Sequence, residues 1–485
     1  MKQPNSRFFR STLTSSALVA LGGLTACGGG GDGVAVVLPE PTRIQDSRAF
    51  VPVIETTFAP LGNSTVDTDR WTGVLQGSAY RVEVPKTGWN GKLVMWVHGF
   101  RGTGPNLTVD TPIMRRYLLD NGYAWAASSY SKNYYDVRAG VEDTNILALN
   151  FVNIAAANSR PLVAPSKIFI TGVSMGGHIT AAAIDAEAQA NAINKVKYAG
   201  AVPMCGVLGD TELFNYFAGY QVVAQQLAGF PITSFPTTDF AALTPTIKSA
   251  LWSSFPTQTN AQGDKLKNVV MNLSGGARPF YAEGWANASN QNNIFSALGG
   301  DGTISGILNQ NVLDTTQLFY KVDATSTNTT ALDTSFNNSA FKIAPTPDAN
   351  RLRRDGLRWI PVTAADINVP VVSIHTLGDL FVPFKMEQIY FDRAKAKGTD
   401  KFLVQRAIRD VGHCAFTAAE ATTAFDDMVK WEAGGPKPAG DDVKTAATLA
   451  SPTYGCAFTK NTPSAEDFTS PTGRAAFQAN YPACP

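Results

Sequence analysis

Histidine is scarce in this 485-residue chain: His98, His178, His375 and His413 are the four, so chemistry that needs an imidazole has few candidates. Cysteine is limited to Cys27, Cys205, Cys414, Cys456 and Cys484, too few for a disulfide-built fold. No His, Cys and carboxylate groups recur at metal-ligand spacing, so neither a metal nor an organic cofactor is expected. Charge is also thin. Charged residues make up 16% of the chain, and 40 basic side chains nearly balance 39 acidic ones. That balance gives no field to gather nucleic acid and favours a small or neutral partner; the chain is expected to be a monomer. No internal repeat is visible. The hydrophobic share of 44% is enough to build a large core and excludes a disordered chain.

What is present begins with a targeting segment. Lys2, Arg7 and Arg10 precede an apolar run at 12–24 that is too short to span a bilayer. Leu24-Thr25-Ala26-Cys27 resembles a bacterial lipobox, with Cys27 as the lipidated residue. Gly28 follows in place of the aspartate of an inner-membrane retention signal, which points to the outer membrane in a host that has one. The expected organisation is a signal peptide at 1–27 and a flexible, glycine-rich tether at 28–45. Removing Cys27 leaves four cysteines, an even number that suits an exported chain in an oxidising compartment.

From residue 78 onward strand and helix signals alternate, which predicts an α/β fold with a mainly parallel central sheet flanked by helices. Strands are expected at 79–84, 92–98, 123–129, 167–173, 198–204, 369–376 and 402–408. Helices are expected at 137–157, 175–190, 385–397 and 418–431. Some 160 residues separate the strands at 198–204 and 369–376, too many for a simple connection, so they are read as a large inserted cap at 207–365. It opens on an aromatic helical segment with Phe214, Tyr216, Phe217 and Tyr220, then passes through turns at 230–245 and a polar stretch at 325–339. The core domain is thus divided into 46–206 and 366–435, and 436–485 is read as a tail that wraps the surface.

Gly172-Val173-Ser174-Met175-Gly176 matches the G-x-S-x-G nucleophile elbow. In a chain with 42 glycines the pentapeptide alone is weak, and the strand before it and helix after it are what make Ser174 a candidate nucleophile. A serine hydroxyl needs a base, normally a histidine held by a carboxylate. His413 follows a late strand and precedes the last long helix, whereas His98 ends a strand, His178 lies inside a helix and His375 inside an apolar strand. The acid should sit on a loop after the preceding strand, where Asp379 lies; Asp392 falls in a helix, and Asp400 and Asp410 in polar, surface-like company. The amide of Met175 and that of Phe100, with Arg101 as competitor, are the candidate oxyanion donors.

The series His98-Gly99-Phe100, Gly172-Val173-Ser174-Met175-Gly176-Gly177, Gly378-Asp379 with Val382-Pro383, and Gly412-His413-Cys414 resembles the α/β-hydrolase superfamily. It is similar to exported bacterial hydrolases grouped with prolyl-oligopeptidase-like and esterase sequences. The resemblance spans about residues 78–206 and 369–435. It implies an α/β-hydrolase fold and a serine hydrolase cleaving a small-molecule or oligomeric ester. A peptidase or amidase is the alternative, although no propeller-like repeats precede the elbow; a non-catalytic binding lipoprotein on the same scaffold is the third reading. A cysteine directly after the catalytic histidine is similar to tannase and feruloyl-esterase sequences, but here Val173, not a cysteine, adjoins Ser174. Cys205 ends a strand at the same sheet edge, so Cys205 with Cys414 and Cys456 with Cys484 are the expected disulfides.

Overall fold

Apolar runs separated by amphipathic segments bury themselves as strands covered on both sides by helices, and the computed structural model has this arrangement. It describes residues 39–237, 239–298 and 304–484, and the unit that carries the site is Pro41–Pro485. The main sheet contains β1 Thr68–Leu75, β2 Ser78–Pro85, β3 Lys92–Val97, β4 Ala124–Ser128, β5 Lys167–Val173, β6 Gly200–Met204, β7 Val371–Thr376 and β8 Leu403–Ile408. Their spatial order is β1-β2-β4-β3-β5-β6-β7-β8. The pairs β1/β2 and β2/β4 are antiparallel, and the remaining neighbours are parallel. This order, with a strand-turn-helix elbow after β5, is the α/β-hydrolase fold.

Side-chain alternation along β3 shows how the layers form. Leu93, Met95 and Val97 join the core beneath α1 (Val137–Leu149) and α2 (Met175–Ile184), while Val94 and Trp96 join the opposite core. Every residue of β4, β6, β7 and β8 is buried, so periodicity 2 is invisible in them and they read as plain apolar runs. The 160-residue gap is filled mainly by helices: α3 Glu212–Leu227, α4 Phe240–Leu251, α5 Ala261–Leu273, α6 Tyr281–Trp285, α7 Ala288–Phe295 and α8 Ala331–Ser339. Rings knit them together. Tyr220 of α3 meets Phe295 edge-on at 5.3 Å, and Trp252 stacks on Trp285 at 5.5 Å. After β7 come α9 Lys385–Lys397, α10 Ala418–Glu432 and α11 Pro471–Gln478, the first between β7 and β8.

Several expectations need correction. Strand β1 escaped the reading because it is a half-exposed edge with no clean alternation, joined to β2 by a tight turn in which Gln76 and Gly77 both have positive φ. The helix expected at 137–157 breaks at Asn150, and that at 175–190 breaks at Asp185, whose carboxylate accepts from the Glu187 amide to start a new helix. Turns expected near 240–245 are the first part of α4, which accommodates Pro245 because Ile247 and Leu251 bury its inner side. The polar stretch 325–339 contains α8, started by a Thr330/Asp333 capping box. The tether ends before residue 45: Arg43 and Gln45 are buried, and Gln45 donates to the Asn133 carbonyl at 2.9 Å. Cys27, its lipobox and the signal peptide lie outside the described residues.

Candidate active site

Parallel strands deliver their C-terminal ends to one edge of the sheet, and the candidate groups gather there. Ser174 stands alone between β5 and α2 with φ +59° and ψ −123°, the strained conformation of an elbow. Its amide donates to the Met204 carbonyl at 3.0 Å, tying the turn to β6. Close packing dictates the small neighbours: a Cβ on Gly176 would run into the Val97 carbonyl, and one on Gly99 would lie 3.1 Å from the Ser174 Cβ.

Asp379 follows β7 and is fully buried. Its Oδ1 accepts from the amides of Phe381 and Val382, each at 2.9 Å, and its Oδ2 lies 2.6 Å from His413 Nδ1. His413 Nε2 is 2.8 Å from Ser174 Oγ. With the Nδ1 hydrogen donated to Asp379, Nε2 is left with a lone pair that can accept a hydrogen bond from the Ser174 hydroxyl. The three side chains therefore form one continuous chain of hydrogen bonds.

On the other side of Ser174, His98 donates from Nδ1 to the Gly99 carbonyl at 2.7 Å. A trans peptide points its N–H opposite to its C=O, so this bond turns the Phe100 amide away from His98. Among the described residues neither the Phe100 nor the Arg101 amide meets an acceptor. Met175 is the first residue of α2, and its amide is one of the donors a helix cannot satisfy internally. His98 stacks on Tyr130 with centroids 4.1 Å apart, and burial pushes its pKa down from 6.5 to about 4, so it is neutral.

The remaining histidines are held by the interior. His178 is bonded to Tyr135 Oη at 3.0 Å and the Pro361 carbonyl at 2.8 Å. His375 donates from Nε2 to the Val382 carbonyl at 2.7 Å and faces Glu387 at 3.3 Å. Burial pulls its pKa down, but the Glu387 contact, the Asp379 charge and the Val382 bond outweigh burial and leave it above the ordinary value.

Cys205 is joined to Cys414, and Cys456 to Cys484. Two disulfides suit an oxidising compartment, and no helix among the described residues is long and apolar enough to cross a membrane. The Ser174 amide also approaches Cys205 Sγ at 3.3 Å, and Cys414 Sγ lies 3.4 Å from His413 Nε2, so the bridge adjoins both Ser174 and His413. Cys205, Cys414 and His413 offer atoms within 4.8 Å of one another, the spacing of a metal site, but the disulfide removes both thiolates.

Ser174 opens into a cavity of about 740 Å³ lined by Phe100, Tyr134, Tyr135, Phe214, Phe217 and Phe381, with Thr103, Asn293 and Ser296 on its polar side. Phe381 stacks on Phe217 and meets the His413 ring edge-on. None of the described lining residues carries a formal charge. Aromatic residues of the insertion thus face the cavity as well as the core.

Asp410 is a correction. It is buried, not surface-like, and Arg474 of α11 pairs with it at 2.7 Å and with Glu420 at 2.7 Å. Arg474 also donates to the Ala415 carbonyl at 2.6 Å, so the tail grips both sides of the His413 loop from within instead of only wrapping the surface. Its Ser470 cap and Pro471 mark the helix start in the sequence, but nothing there identifies partners more than fifty residues away.

No family model matches the chain. A stretch of 65 residues is 34% identical to o-phthalyl amidase of Xanthobacter agilis, which is 13% of this chain and 14% of that protein. Among solved structures, feruloyl esterase B from Aspergillus oryzae aligns over 80% of this chain and 86% of its own at 14% identity and a TM-score of 0.40. Lipase A of Candida antarctica aligns over 85% and 84% at 15% identity and a TM-score of 0.37. For Pyrococcus horikoshii acylaminoacyl peptidase the figures are 79% and 44%, 11% identity and 0.39, so this chain spans less than half the peptidase. Scores below 0.5 leave the fold assignment to the sheet itself: strand order, strand direction and the elbow after β5 make this an α/β-hydrolase fold.

Proposed function

We propose that the chain is a serine hydrolase that cleaves carboxylic esters by acyl transfer. The observation that carries the reading is the unbroken Asp379, His413 and Ser174 relay, at 2.6 and 2.8 Å, opening into an uncharged cavity. In this mechanism His413 Nε2 takes the Ser174 proton as Oγ attacks the ester carbonyl. The imidazolium so formed is stabilised by Asp379, and the amides of Phe100 and Met175 receive the oxyanion. His413 then protonates the departing alkoxide, and water attacks the acyl-enzyme by the same route in reverse. A cavity with aromatic walls and a few neutral polar groups suits an uncharged acyl or alcohol portion, since a buried charge there would find no counter-ion.

An amidase is the second reading, supported by the 65-residue match to an amidase. A fluorophosphonate should label wild type and not Ser174→Ala; equal labelling of both would remove Ser174 as nucleophile. A panel of p-nitrophenyl esters beside p-nitroanilides separates the two readings, and fast anilide turnover with inert esters would select the amidase. Lipid attachment at Cys27 belongs to the same proposal, and its measure is incorporation of radiolabelled palmitate that disappears in Cys27→Ala.

A further inference from the structure

The loop that carries Asp379 is bonded in an unusual division of labour. Its first amides, from Leu377 and Gly378, donate to the Ile408 and Asp410 carbonyls at 2.9 and 2.8 Å, and its last two donate to the Asp379 carboxylate. Its carbonyls point the other way and are met largely by the insertion. Arg278 Nε donates to the Leu377 carbonyl at 2.7 Å, Asn290 Nδ2 to that of Gly378 at 3.3 Å, and the Tyr216 hydroxyl to that of Leu380 at 3.0 Å. These donors come from three separate places, Tyr216 from α3, Asn290 from α7 and Arg278 from the turn between α5 and α6. All three are buried, and none lines the 740 Å³ cavity. Packing closes the same contact, because a Cβ on Gly284 of α6 would collide with the Gly378 carbonyl.

We infer that the insertion positions the acid of the relay, with Tyr216, Asn290 and Arg278 as positioning residues that hold the Asp379 loop at the distance His413 requires. A buried carbonyl seeks a donor, and three donors fixed on packed helices determine where the loop sits. The insertion then has two separable roles: Leu213, Phe214 and Phe217 face the cavity from α3, while Tyr216 on the same helix faces the acid loop. Arg278 adds a cation behind the loop; burial lowers its pKa to about 10, which still leaves it charged. The inference rests on the proposed role of Asp379.

The test uses the full-length protein with Tyr216→Phe, Asn290→Ala and their double variant, beside Asp379→Asn. Three quantities are read: the phosphonylation rate of Ser174 by a small fluorophosphonate, which needs no large cavity, and kcat and KM for an aryl ester. Rates are normalised to folded protein by circular dichroism. Each single variant should slow phosphonylation and lower kcat on the order of tenfold with KM unchanged, the double variant more. A merely structural role would lower the folded fraction and leave normalised kcat alone. Wild-type phosphonylation in the double variant, or a change confined to KM, would overturn the inference while Asp379→Asn remains slow. If Asp379→Asn is itself as fast as wild type, the proposed relay fails.

Discussion

Removing the Cys205–Cys414 bridge by Cys205→Ala with Cys414→Ala should cost both stability and rate, for two different reasons. The bridge closes 209 residues, whereas Cys456–Cys484 closes 28. Loop-closure entropy grows with the logarithm of that length, giving about 5.4 kcal/mol for the first and about 3.6 kcal/mol for the second as upper values. On stability alone the first should therefore be worth more, by about 2 kcal/mol. On rate they should diverge. Cys205 Sγ lies 3.3 Å from the Ser174 amide, and Cys414, in the left-handed region with φ +57°, directly follows His413. Loss of the bridge frees both the elbow and the histidine loop, whereas Cys456 and Cys484 touch Arg409 and not the relay. Urea unfolding midpoints report the first quantity, and fluorophosphonate labelling of folded protein well below the midpoint reports the second. The Cys205/Cys414 pair should label at least tenfold more slowly and the Cys456/Cys484 pair at the wild-type rate. Equal labelling of the two double variants would refute this reasoning, as would a tail bridge worth several kcal/mol more than the other.

Burial lowers the pKa of His98 to about 4 in the fold against 6.5 when unfolded, so its contribution is complete above 6.5 and is lost as pH falls toward 4. That gap corresponds to about 3 kcal/mol, and urea midpoints from pH 7 to 4 should fall less steeply in His98→Phe, which keeps the ring against Tyr130; identical slopes would contradict it. Arg474→Met leaves Asp410 and Glu420 buried without their cation and should cost about 3–5 kcal/mol, with most of it recovered when Asp410→Asn and Glu420→Gln are added. A single variant within about 1 kcal/mol of wild type would show that the pairs contribute no more than surface ones. Asp379→Asn should lower kcat on the order of 10⁴-fold, measured with a p-nitrophenyl ester, and a loss below tenfold would assign the acid elsewhere.

What could be read directly was whatever local chemistry makes unavoidable. Six of the eight main-sheet strands announce themselves because buried parallel strands must be apolar, and antiparallel β2 shows through its alternation. Ser174 sits in a turn that demands small neighbours, and with four histidines a single candidate for the base could be chosen by elimination. Edge strand β1 hid because most of it is only partly buried and shows no clean alternation, and α4 hid behind Pro245, whose lost hydrogen bond is outweighed by burial the sequence does not display. Asp410 looked exposed because its neighbours are polar, while the cation that permits its burial lies 64 residues away.

The sequence by itself determined seven strands of the sheet, the elbow and which three groups are candidates, since each depends on residues close together in the chain. Only the tertiary structure decided how those groups are held. Carbonyls of the Asp379 loop find donors on α3, on α7 and before α6, and the His413 loop finds Arg474 on α11, because a buried polar group takes whichever partner packing brings within reach. No spacing rule encodes that choice. The insertion, which from sequence reads as a cover over the cavity, also donates hydrogen bonds to the loop that carries Asp379.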